Sequence, residues 1–114
     1  MEMNVSELKN NITQIVLKGT LDIKGVDQIE IKFAGYCSGE NARVLVDMSG
    51  ADYLSSIGIR LFMKNAKSLR ARNGKMVLLS PTANVLNILE TIDIPAIIPV
   101  YASFESAEAV LLGA

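Results

Sequence analysis

Arg43-Val44-Leu45-Val46-Asp47-Met48-Ser49-Gly50-Ala51-Asp52-Tyr53-Leu54-Ser55-Ser56-Ile57-Gly58-Ile59-Arg60-Leu61 changes character halfway along, and that change decides the fold. Arg43 to Asp47 has an unbroken apolar centre, the mark of a strand covered on both faces. Ser49 to Tyr53 reads as a loop rich in turn residues. From Ser55 or Ser56 onward, Ile57, Leu61, Phe62, Ala66 and Leu69 recur at helical spacing, and Asn73-Gly74 closes the helix. Lys75 to Ser80 is a second buried strand, so the stretch opens a parallel strand-helix-strand unit.

Upstream, Met3 to Leu8 and Ile12 to Lys18 are strand-like, and Lys9-Asn10-Asn11 between them supplies turn residues that tolerate positive φ, which predicts a hairpin. After Gly19-Thr20-Leu21-Asp22, the spacing of Val26, Ile29, Phe33, Ala34 and Cys37 predicts a first helix ending near Ser38-Gly39. Downstream, Pro81-Thr82 opens a third helix carrying Val85, Leu86, Leu89 and Ile92. Ala96 to Tyr101 reads as a strand, held to a sheet edge because Pro99 cannot donate to a ladder. Ser103 to Leu112 forms a last helix, with Ser103-x-x-Ser106 at its start. The expected fold class is α/β, a single domain over residues 1–114. Its mixed, mostly parallel sheet opens with the N-terminal hairpin and packs with about four α-helices. In such a sheet the strand C-termini and helix N-termini share one edge, where ligands and modifications collect. Asp22, Asp47, the segment Gly50 to Ser56 and Ser80-Pro81 are expected there.

Composition narrows the chemistry. Eleven Lys and Arg against twelve Asp and Glu leave a net charge of −1, which argues against a general nucleic-acid or membrane-surface binder. Half the residues are hydrophobic and a fifth charged, so a sizeable core can form. There is no His, which removes Ser-His-Asp and Cys-His nucleophiles, His-ligated zinc and imidazole bases together. The single Cys37 can form no internal disulfide, the N-terminus Met1-Glu2-Met3-Asn4 is acidic where a signal peptide is basic, and no apolar run spans a membrane. A cytoplasmic location without membrane insertion is the expectation.

Several residues carry candidate chemistry. Ser55 and Ser56 stand where either can cap a helix, and from the dipeptide alone capping is the commoner role. A helix N-terminus also receives a phosphate well. Gly58, one turn in, costs about 1 kcal/mol of propensity against Ala, which points to a close backbone approach. Asp22 and Asp47, as a carboxylate pair, suggest a metal site or a phosphoacceptor, but loop capping and solvation are the commoner roles for such residues. Arg60, Lys64 and Lys67 follow at spacings of four and three, so three cations share one outward face. Cys37 reads as a small buried hydrophobe.

The stretch from Asp47 to Leu61 resembles the STAS domains, in particular the bacterial anti-sigma factor antagonists, whose pattern is a polar residue, a short loop and Asp-Ser-Ser/Thr/Ala-Gly-Leu opening a helix. Gly19-Thr20-Leu21-Asp22 matches the family's Gly-x-Leu-Asp element, and the likeness covers nearly the whole chain. An ungapped reading from Asp47 puts Ser56 at the family's phosphorylated serine, with Ser55 the second choice. Two positions depart from the pattern: Ser55 stands where the family often has Asp, and Ile57 where it has a small residue. The first removes a carboxylate beside the acceptor that a kinase could read.

The resemblance implies a non-enzymatic switch that binds an anti-sigma factor with serine kinase activity while unmodified and releases it once Ser56 is phosphorylated. A PP2C-type phosphatase would reset it. The partner surface would comprise Asp22, Asp47, Ser55, Ser56, Gly58, Arg60, Lys64 and Lys67. No cofactor is expected in this chain, since ATP and Mg²⁺ belong to the kinase, and the free protein is expected to be a monomer. The alternatives are a STAS subunit of a transporter or signalling assembly without a working phosphoswitch, or a small-molecule or nucleotide-binding domain. A phospho-aspartate receiver is disfavoured by the opening hairpin and by Ala102-Ser103, where a receiver has lysine.

Overall fold

A parallel crossover turns right-handed, so three of them stepping the same way across a sheet put all their helices on one face. The computed structural model is built this way. It describes residues 1–113; Ala114, the last residue of the expected domain, lies outside them. The strands are β1 (Glu2–Glu7), β2 (Ile12–Leu21), β3 (Arg43–Leu54), β4 (Lys75–Leu79) and β5 (Val100–Tyr101). The helices are α1 (Ile23–Tyr36), α2 (Ser56–Ala71), α3 (Ala83–Thr91) and α4 (Phe104–Gly113). The sheet order is β1-β2-β3-β4-β5, antiparallel only between β1 and β2. The hairpin turns at Lys9–Asn11, where Asn10 and Asn11 adopt φ of 66° and 61°.

Helices α1, α2 and α3 cover one face. Val26, Ile29, Phe33, Leu61, Phe62, Leu69, Val85 and Leu89 meet Ile15, Leu17, Val44, Val46, Met48 and Leu78 of the strands in one apolar core. Phe33 and Phe62 pack with ring centroids 5.8 Å apart, joining the C-terminal part of α1 to the middle of α2. On the other face α4 alone packs Ala107 and Leu111 against Ile12, Leu45, Val77 and Leu79.

Two expectations are corrected. Ser49 to Tyr53 is not a loop but the second half of β3, because β2 runs on to Leu21 and offers Lys18 to Leu21 as partners for Gly50 to Leu54. The register shifts twice along this pairing, once at Gly19, whose φ of 111° suits glycine alone. The shifts explain why Met48, Ala51 and Leu54 are buried at three-residue spacing. At the far edge, Ala96 to Tyr101 yields only the two residues of β5. Ile94–Ala96 instead forms a 3-10 turn with Pro95 at its start, which sends Ile94 and Ile98 into the core.

Candidate functional site

The end of β2 builds the site. Leu21 is fully buried, and its carbonyl accepts from both the Ser55 backbone N–H at 3.0 Å and the Ser55 hydroxyl at 2.6 Å. Ser55 thereby becomes the N-cap of α2, its Oγ also accepting from the Gly58 N–H at 3.4 Å. One residue after Leu21, Asp22 caps α1, its Oδ1 accepting from the Gly25 N–H at 2.7 Å. The Gly19-Thr20-Leu21-Asp22 element thus places one bulge, one buried anchor and one cap in succession, and so fixes both helix starts.

The two serines part company here. Ser55 is half-buried and engaged on both sides, whereas Ser56, the first residue of α2, is exposed. Gly58 is buried, and a Cβ there would lie 2.7 Å from Leu54 Cδ1 and 3.1 Å from the Leu21 carbonyl oxygen; the helix comes too near the strand ends for a side chain. Arg60, Lys64 and Lys67 are all exposed on α2, as their spacing requires. An open groove of about 630 Å³ between the starts of α1 and α2 is lined by Asp22, Lys24, Asp27, Glu30, Ser55 and Ile57 among others, and Ser56 is not in its lining.

Asp47 is not brought to this place. It pairs with Leu79 at the end of β4, half-buried, its Oδ1 accepting from the Ser49 N–H at 2.9 Å, while β3 continues seven residues further before α2 begins. The separation follows from the lengthened β3, and it dissolves the Asp22–Asp47 pair as a metal-binding idea. Two exposed large side chains flank the site, Ile23, which the sequence did not single out, and Tyr53, which falls within the expected Gly50 to Ser56 segment. Ile23, 75% exposed, follows the Asp22 cap, and Tyr53, 46% exposed, lies three residues before Ser56. Ile23 stands three residues before Val26 and so continues the Val26-Ile29-Phe33 spacing in the sequence; only the structure shows it turned to the surface at the start of α1. The end of β3 is tied down by Thr20, whose hydroxyl donates to Asp52 Oδ1 at 2.7 Å, and by Asn84, which donates to the Asp52 carbonyl.

Cys37 is fully buried, and desolvation raises its pKa to about 12, so it stays a neutral thiol at physiological pH. No helix among the described residues is long and apolar enough to cross a membrane. A smaller pocket of about 200 Å³, lined by Arg70, Met76, Ile97 and Val110 among others, touches none of the predicted site residues.

Known proteins share this fold. Residues 4–107 match the STAS domain family. BtrV of Bordetella bronchiseptica, named as an anti-sigma factor antagonist, is 32% identical over 93 residues, covering 82% of this chain and 80% of that protein. The fold is also that of the anti-sigma factor antagonist SpoIIAA in its unphosphorylated form, with a TM-score of 0.80 at 20% identity over 99% of this chain and 98% of that one. The phosphorylated form of Bacillus SpoIIAA superposes with a TM-score of 0.70 at 18% identity over 96% and 99%. The murine anion transporter Slc26a9 contains the same fold, with a TM-score of 0.76 at 14% identity over 91% of this chain but only 18% of the transporter. Fold likeness extends to a transporter, but the family match over most of the chain and the sequence identity to BtrV narrow the assignment: the chain belongs to the STAS domain family, among the anti-sigma factor antagonists.

Proposed function

We propose that this chain is a phosphorylation-controlled antagonist: unmodified, it binds an anti-sigma factor that is also a serine kinase, and phosphorylation of Ser56 ends the binding. The observation that carries the reading is the division of labour between the serines. Ser55 uses its hydroxyl on the Leu21 carbonyl and the α2 cap, which leaves Ser56, the first residue of α2, as the exposed hydroxyl of the pair. A kinase needs an accessible nucleophile, and modifying Ser55 would break a cap worth about 1 kcal/mol. Of the expected partner-binding set, the exposed Asp22, Ser56, Arg60, Lys64 and Lys67 face the partner, while Ser55 and the buried Gly58 support them from within, and a PP2C-type phosphatase restores the serine. Asp47, away from the groove, is the weakest member of the expected set.

The phosphate acts at the surface. It adds about −1.5 to −2 charges, and burying an unpaired charge in an interface costs several kcal/mol. Each 1.4 kcal/mol is about tenfold in affinity, so a loss of roughly a hundredfold needs no change of fold. The test is incubation with the cognate kinase and ATP, with the phosphate mapped by mass spectrometry. Ser56→Ala should abolish labelling, while Ser55→Ala should remain a substrate; phosphate found on Ser55, or on neither serine, refutes the reading. Titration calorimetry of the double variant Arg60→Glu, Lys64→Glu should show weakened partner binding with unchanged folding. The likeness to the STAS region of Slc26a9 supports a second reading, a subunit of a larger assembly without a working phosphoswitch. Absence of labelling together with co-purification with a transporter would favour it.

A further inference from the structure

We infer that Arg60 is the internal receptor of the Ser56 phosphate, so that modification both adds negative charge and withdraws Arg60 from the partner surface. The inference rests on the reading of Ser56 as the acceptor and names what that reading leaves open, namely where the phosphate goes. Ser56 and Arg60 are four residues apart on α2, and both are exposed. Side chains at this spacing lie one above the other, with Cβ atoms about 5–6 Å apart. Helical side chains lean toward the N-terminus, so an arginine at position 60 has the turn that carries Ser56 within its reach. An acidic group placed four residues before a cation is also the favourable order along a helix.

A guanidinium binds phosphate oxygens in a fork, more strongly than an ammonium and with a fixed geometry. The other charges near Ser56 sharpen the choice. Asp22, Asp27 and Glu30 in the adjoining groove repel a phosphate, and Lys24, which lines the same groove from α1, stands among these carboxylates. Lys64 is eight residues from Ser56, two turns away, and Lys67 further still. Arg60 is therefore the cation of the stripe within one turn. Before modification, Arg60, Lys64 and Lys67 present three positive charges to a partner. After it, the phosphate offsets up to about two of them and holds the first in an intramolecular pair. A partner that used the stripe loses its attraction at the same moment that it meets a new charge.

The test installs phosphoserine at position 56 by genetic code expansion, so it does not depend on a natural kinase. If the cognate kinase leaves Ser56 unmodified, the proposed function falls while this measurement still reports on Arg60. The ³¹P resonance is followed through the second phosphate ionisation, normally near pH 6. Pairing with a guanidinium favours the dianion, so the midpoint should lie about 0.5 lower in the phosphoprotein with Arg60 than in its Arg60→Gln variant. Lys64→Gln should leave it unchanged, and Arg60→Lys should recover part of the difference. Coincident midpoints with Arg60 and with Gln at that position, or an equal rise from Lys64→Gln, overturn the inference.

Discussion

The starts of α1 and α2 are two versions of one device. Asp22-Ile23-Lys24-Gly25 and Ser55-Ser56-Ile57-Gly58 each place a capping side chain at the first position, accepting from the N–H of a glycine at the fourth. Both glycines are buried, and both helices begin hard against the end of β2. The difference lies in the second residue of each quartet, which the device does not use. In α1 that free position holds the exposed Ile23, and in α2 it holds the exposed Ser56. Cap and glycine are architecture, and function can occupy the position between them at little cost to the fold.

The largest test of this comparison is at the glycines. A Cβ on Gly25 would sit 2.0 Å from the Thr20 carbonyl oxygen, a backbone wall that cannot rotate away. Gly25→Ala should destabilise by about 3 kcal/mol in chemical denaturation, well beyond the 1 kcal/mol or so that alanine returns in helix propensity. Gly58→Ala meets the Leu54 methyl first, at 2.7 Å, which a rotamer change can move. Its backbone neighbour, the Leu21 carbonyl oxygen, is at 3.1 Å and not 2.0 Å, so the cost should be lower, about 1–2 kcal/mol. Equal losses at the two sites would show that the distinction between a backbone and a side-chain wall is mistaken.

Next in size are the caps. Asp22→Ala and Ser55→Ala should each cost about 1 kcal/mol. Ser55→Ala should be the more harmful of the two, because it also removes the hydroxyl bond to Leu21. The smallest effect belongs to the free positions: Ser56→Ala should shift stability by no more than about 0.5 kcal/mol while abolishing phosphorylation. Stability loss at Ser56 as large as at Ser55 would erase the division of labour on which the functional reading stands. Thermal unfolding of the phosphorylated protein within a few degrees of the unmodified one would sharpen it, whereas a fall of ten degrees or more would point to a conformational switch.

Much of this was legible in the chain. The 3.6-residue spacing of Val26, Ile29 and Phe33, and of Leu61, Phe62 and Leu69, gives the helices because each is a local, repeating choice of face. Asn10 and Asn11 give the hairpin turn for an equally local reason, their tolerance of positive φ. Thr82 and Ser103 mark helix starts in the same way, each accepting from an N–H three residues on. Gly19-Thr20-Leu21-Asp22 and Ser55-Ser56 mark the site by motif.

What the sequence by itself determined is therefore the elements, their order and the pair of serines in question. Only the tertiary structure decided that Ser49 to Tyr53 is strand, that Asp47 lies away from the site, and that Ser55 and not Ser56 is the cap. All three depend on β2, more than thirty residues upstream of Ser55. It extends far enough to pair with Gly50 to Leu54 and presents the Leu21 carbonyl where Ser55 can reach it. A strand exists through hydrogen bonds to a partner remote in sequence, and Ser, Gly and Asp carry no propensity that announces one. Helix faces are written in the local spacing of residues, but strand length and the fate of a hydroxyl are settled by whatever carbonyl the fold brings alongside.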